Sequence, residues 1–96
     1  MRQIYNYHGV KCIIKKDRYG NNGRTALILE DEDGHIVTVA TVNVPEEKLA
    51  ENEVIIKDYS ENKGMLDWLI KNEIVEYTGR YVTTGFVMCP ICVLKI

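Results

Sequence analysis

Apolar and polar positions alternate with a period of two along most of this chain, as in half-buried strands, and the period changes to three or four in one place only. Residues 3–7 and 10–15 flank His8-Gly9, a two-residue loop whose glycine can take the positive φ of a tight hairpin turn. Pairing across that loop sets Tyr5 opposite Cys12 and Tyr7 opposite Val10, with Ile14 on the same face, the expected core side. Ile4 and Ile13 share the other face with Asn6, Lys11 and Lys15, so that face is expected to be only partly covered. Residues 25–31 and 36–43 form a second hairpin across Glu32-Asp33-Gly34. A two-residue Asp-Gly loop scatters its apolar residues over both faces, whereas a three-residue loop aligns Leu27, Leu29, Val37 and Val39. The longer loop is expected, with Ile28, Ile36 and Ala40 on the opposite face.

Val44-Pro45 ends that hairpin, and the charged residues 46–53 read as a surface loop with one helical turn near 46–49. Residues 54–57 read as a short buried strand. At Asp58-Tyr59-Ser60-Glu61 the period changes. Asp58 and Glu61 have the spacing of a capping box, with Ser60 as an alternative cap. Met65, Leu66, Leu69 and Ile70 then mark the apolar face of a helix over residues 60–72, with Lys63, Asp67, Lys71 and Asn72 mainly outside. Trp68 lies beside that face, at the core or its edge, where a deeply buried indole N–H needs a partner.

Residues 74–77 and 80–83 flank Thr78-Gly79, which predicts a third tight hairpin pairing Val75 with Val82 and Glu76 with Tyr81. Gly85 breaks the next run. Pro90 cannot donate to a ladder, which predicts an edge or terminal strand for residues 91–96. The expected fold class is α+β in one domain, 1–96: a twisted, partly rolled, mainly antiparallel sheet of six to seven strands with the 60–72 helix packed on it.

The 96 residues are 46% hydrophobic and 27% charged, an ordinary globular composition that gives no sign of disorder. The net charge of -2 argues against indiscriminate attraction to nucleic acid or an anionic membrane. It hides an asymmetry: residues 1–24 hold six bases and one acid, +5, and residues 25–96 hold six bases and thirteen acids, -7. No stretch approaches the roughly 20 apolar residues of a membrane helix, no apolar run follows Arg2, and three cysteines fit a reducing compartment, so a cytoplasmic location is expected.

Four stretches offer chemistry. The basic segment 15–24, with Lys15, Lys16, Arg18, Tyr19 and Arg24, reads as a loop or hairpin tip and could touch nucleic-acid phosphates and bases. The acidic run 30–33 lacks the spacing and following helix of a calcium loop and reads as a solvated turn. Cys89-Pro90-Ile91-Cys92 can supply two corners of a zinc site, with Cys12 and His8 completing it if the terminal segment meets the first hairpin. A redox role fits poorly, since the pair does not open a helix after a strand. His8 and His35 both fall in predicted turns without a nucleophile to pair with, so no enzyme and no cofactor is expected. Asp58, Tyr59, Ser60, Glu61 and Asn62 make the remaining candidate, a polar turn able to cap the helix and to meet a protein partner.

The stretch IKDYSENKGMLDWLIKNEIVEYTGRYVTTGF resembles a family of short uncharacterised bacterial proteins carried on plasmids, conjugative elements and phages. Their pattern has an acidic turn, a Gly-Met-Leu helix, T-G-R and G-F-V segments and a Pro-containing terminal strand. The likeness covers most of residues 54–96 and, more loosely, TVNVP at 41–45. It implies an accessory role in a mobile element and carries over no catalytic residue. The expectation is a non-catalytic protein, monomer or homodimer, that binds a protein partner through 58–62; nucleic-acid binding and a zinc-stabilised domain are the alternatives.

Overall fold

In the computed structural model, which describes residues 3–96, the alternating segments form eight strands in two antiparallel four-stranded sheets. The first sheet runs β1 (Tyr5–Tyr7), β2 (Val10–Arg18), β3 (Thr25–Asp31), β4 (Ile36–Val39), in that order. The second contains β5 (Thr41–Val42), β6 (Glu53–Ile56), β7 (Val75–Thr84) and β8 (Val87–Leu94), ordered β5-β6-β8-β7. One helix, α1 (Met65–Lys71), follows a 3₁₀ turn at Ser60–Asn62. The α+β, mainly antiparallel class is as expected; in place of one rolled sheet of six to seven strands there are two sheets.

The β1–β2 register matches the sequence reading, with Tyr5 opposite Cys12 and Tyr7 opposite Val10. Both turn residues, His8 at φ 50° and Gly9 at φ 86°, are left-handed, which matches the twist of the strands they join. Strand β2 continues through Lys16 and Arg18, so the basic segment is loop only from Tyr19 to Arg24.

The β3–β4 hairpin keeps its three-residue loop, closed by the Asp31 amide donating to the His35 carbonyl at 2.9 Å. Its register then shifts: Glu30 faces Ile36, Leu29 faces Thr38 and Ile28 faces Val39, leaving Val37 as a bulge. A bulge re-aims every side chain beyond it. Val39 therefore joins Ile28 on the outer face, and Ala40, expected on the face opposite Leu27 and Leu29, is fully buried with them.

The expected strand 36–43 is in fact two strands that change sheets at Ala40. The Ala40 amide donates to Leu27 in the first sheet and its carbonyl accepts from Lys57 at the end of β6, both at 2.8 Å. One residue thus stitches the two sheets together. Residues 45–47 make a turn and a bend, and no helix forms at 46–49.

The largest departure is at Thr78-Gly79, which is a bulge within the long strand β7 and not a hairpin turn. Tyr77 pairs with Cys92 and Tyr81 with Pro90, so three β7 residues stand opposite Ile91. The Thr78 hydroxyl holds the bulge by donating to the Ile91 carbonyl at 2.7 Å. The true turn is Gly85-Phe86, since Thr84 pairs with Val87. Strand β8 is central, and Pro90 is tolerated because pairing with β6 stops at Ile91, one residue earlier.

Helix α1 and the facing sides of both sheets share one core of Cys12, Leu27, Leu29, Val54, Ile56, Met65, Leu69, Val75 and Cys92. The other side of the second sheet has its own cluster, Ile55, Val82, Cys89 and Ile91, covered by Val42, Val44, Leu49 and Tyr59. Covering on both faces explains why 54–56 and 87–94 read as nearly continuous apolar runs. The outer face of the first sheet stays open, with Ile4 and Ile36 each 61% exposed.

Candidate functional site

Residues 58–62 were expected to form both a helix cap and a contact surface, and the fold divides them. Asp58 caps a helix, but one that starts seven residues later: its Oδ1 accepts the Leu66 amide at 2.9 Å. The helix cannot run from Ser60, because Gly64 stands at φ 93°, a left-handed break between the 3₁₀ turn and α1. Glu61 takes no part in a capping box and instead pairs with Lys57, whose ammonium it holds above the usual lysine range. That ammonium also lies 5.6 Å from the centre of the Tyr59 ring.

Asn62 is fully buried. Its side-chain N–H donates to the Val39 carbonyl at 2.7 Å and its Oδ1 accepts the Thr38 hydroxyl, which ties the turn to β4. Tyr59 is half-buried against the second core cluster. Only Ser60 and Glu61 are exposed. The five residues are therefore chiefly a joint of the fold, and the surface left for a partner is small.

The basic segment is similarly divided. Arg24 donates to the carbonyls of Val44 and Glu47 and so anchors the loop after β5. Arg18 donates to the Gly23 carbonyl at 2.8 Å. The Tyr19 hydroxyl is 2.8 Å from that of buried Thr41, and burial pushes its pKa up. Its hydroxyl is thus tied to the fold and the residue is half-buried. Lys15 lies 3.9 Å from Glu30 on the outer face of the first sheet, whereas Lys16 projects from the other face and donates to the Ile96 carbonyl.

The thiols do not converge. Cys89 and Cys92, three apart on a strand, point to opposite faces of the second sheet and enter separate clusters, Cys92 with Cys12 and Cys89 apart from both. His8 is exposed in the β1–β2 turn. This separation contradicts the four-ligand zinc grouping. Burial raises the pKa of all three thiols, that of Cys92 to about 12. Buried and held protonated, they are packing groups and poor nucleophiles.

Asp31, Asp33 and His35 do bring ligand atoms within 4.8 Å of one another. Asp31 Oδ1 is already engaged, accepting the amides of Asp33 and His35 at 2.9 Å each. The His35 amide, above all, holds the Asp31 carboxyl below its ordinary range. The geometry is that of a self-closed turn.

The feature that sequence reasoning missed lies on the β7–β8 hairpin. Leu66, Tyr77, Tyr81, Met88 and Pro90 line a groove of about 190 Å³ between the first turn of α1 and the hairpin. Ile70, one helical turn from Leu66 on the same side of α1, is also exposed. At the other end Phe86 stands fully exposed in the turn. Asp58 belongs to this site indirectly, because it holds the amide of Leu66, one wall of the groove.

Five of the nine large hydrophobic residues most exposed to solvent fall on this strip: Ile70, Tyr77, Tyr81, Phe86 and Met88. A signal existed in the sequence, since residues 81–94 contain no Asp, Glu, Lys or Arg. The competing surface, around Ile4 and Ile36, is interrupted by the Lys15–Glu30 pair. Among the described residues no helix is long and apolar enough to cross a membrane. Compared with protein-family models, curated proteins and solved structures, the chain gives no match.

Proposed function

We propose that this chain is a non-catalytic accessory protein that holds a protein partner, and that the partner seats on the strip from Ile70 through Tyr77, Tyr81 and Met88 to Phe86. One observation carries the reading: an uncharged aromatic surface is left open beside a groove in a small protein that otherwise covers both faces of that sheet. Contiguous exposed apolar area of this kind marks contact surfaces, and aromatic anchors dominate their energetics. The inward, protonated thiols and the self-closed acidic turn support a role without bond-making chemistry. A place among mobile-element proteins remains part of the proposal, on the resemblance of residues 54–96 alone.

The strip replaces residues 58–62 as the proposed contact. Immobilised wild-type chain is expected to retain a defined protein, identified by mass spectrometry, and Phe86→Asp or Tyr81→Ala to release it while Glu61→Gln does not. Capture that survives Phe86→Asp, or that is lost with Glu61→Gln alone, would sink this assignment.

A further inference from the structure

The strip carries both a knob and a hole. Phe86 projects without cover from the tip of a hairpin whose own inner face forms the groove of Tyr77, Tyr81, Met88 and Pro90. We infer that the partner on this strip is a second copy of the chain, each copy seating its Phe86 in the other's groove about a two-fold axis near Thr83 and Met88. The inference rests on the reading of the strip as a contact surface and names what covers it.

The register makes the exchange reciprocal. From the turn at Phe86, the rungs of the hairpin are Thr84 with Val87, Thr83 with Met88, Val82 with Cys89 and Tyr81 with Pro90. The Thr83–Met88 rung lies at the end of the groove nearer the knob, Met88 being the lining residue closest to the turn. Two hairpins laid antiparallel, inner face to inner face, about that rung bring each knob over the opposite groove, and Met88 meets its counterpart. This is an isologous contact, in which one patch serves both sides and the assembly closes at two.

Area and charge agree with that occupant. At roughly 200 Å² for a whole large side chain, the exposed fractions of Phe86 (108%), Met88 (59%), Tyr81 (52%), Tyr77 (42%) and Ile70 (41%) supply about 600 Å² per copy. Covered completely on both copies, this area comes to about 1,200 Å², the lower end of the range for a specific interface. No charge lies between residues 81 and 94 to be stranded when the two hairpins meet, and none there selects a charged ligand. Edge pairing of β7 is a poorer route to a dimer, because the bulge at Thr78–Arg80 interrupts its ladder midway.

Sedimentation equilibrium of the full chain over a wide concentration range tests the inference. Wild type is expected to pass from monomer to dimer, and Phe86→Asp to weaken association at least about 30-fold, the loss expected of a central aromatic anchor. Phe86 is a solvent-exposed turn residue, so circular dichroism and the melting curve of that variant should match wild type at dilutions where wild type is monomeric. Ile36→Asp, on the outer face of the first sheet, should leave the dimer intact. A chain that stays monomeric at the highest concentration overturns the inference, as does a dimer indifferent to Phe86→Asp or dissolved by Ile36→Asp. Capture of a different protein, lost with Phe86→Asp while the chain alone is monomeric, overturns the inference and leaves the proposed function standing.

Discussion

The side-chain amide of Asn62 donates to the carbonyl oxygen of Val39 at 2.7 Å, from a position with no exposed surface. Val39 is the last residue of β4 and precedes the sheet crossover at Ala40, so this bond fixes the 3₁₀ turn to the point where the two sheets are stitched. Asn62→Ala leaves the half-buried Val39 carbonyl and Thr38 hydroxyl without that partner. A loss of about 1–3 kcal/mol is expected, read as a lower urea midpoint with unchanged slope. A loss below about 0.5 kcal/mol, the ordinary range for a surface change, would show that the joint is not structural.

Asp58 and Glu61 separate capping from surface pairing. Asp58→Ala removes the acceptor of the Leu66 amide and is expected to cost about 0.5–2 kcal/mol. Glu61→Gln removes only an exposed ion pair with Lys57 and is expected to leave unfolding nearly unchanged. Equal costs in thermal unfolding would contradict the assignment of Asp58 as the cap.

The thiols predict an alkaline limit on stability. In the unfolded chain each ionises near 9.0, whereas burial holds all three higher in the fold, Cys92 at about 12. The unfolded state therefore sheds protons that the native state keeps. Stability is complete below about pH 9 and falls as pH rises from there toward 12. Cys92→Ala should flatten that decline at the cost of packing. The same inward geometry predicts a melting curve unchanged by a zinc chelator under reducing conditions.

Arg24 predicts a stability effect where its charge suggested a binding one. Its guanidinium satisfies the carbonyls of Val44 and Glu47, so Arg24→Gln is expected to lose about 1.5–3 kcal/mol, as for hydrogen bonds to a charged group. Lys15→Gln and Lys16→Gln should be nearly silent in unfolding. If instead the lysine variants abolish salt-sensitive binding of an oligonucleotide, the basic strand is a nucleic-acid surface after all.

What the sequence determined by itself was local. The β1–β2 register followed from a two-residue loop between alternating segments, and the three-residue loop at Glu32-Asp33-Gly34 from aligning Leu27 and Leu29 with Val37 and Val39, of which Val39 was then turned to the other face by the bulge. The apolar identity of Met65 and Leu69 was legible because helical spacing repeats over neighbouring turns. In each case the energy is decided by residues a few positions apart.

The tertiary structure decided everything that depends on what lies across a sheet. Thr78-Gly79 has the composition of a turn, yet β7 pairs with β8 on both sides of it, Tyr77 with Cys92 and Tyr81 with Pro90, so it is a bulge. The bulge at Val37 likewise depends on the partner strand, and beyond it Ala40 enters the core and the strand divides between two sheets. Cys89 and Cys92 are close in sequence but were parted by the pleat of a central strand. The strip from Ile70 to Phe86 emerged only when α1 proved too short to cover the far half of the β7–β8 hairpin, a length set by Gly64 and by Asp58 reaching Leu66.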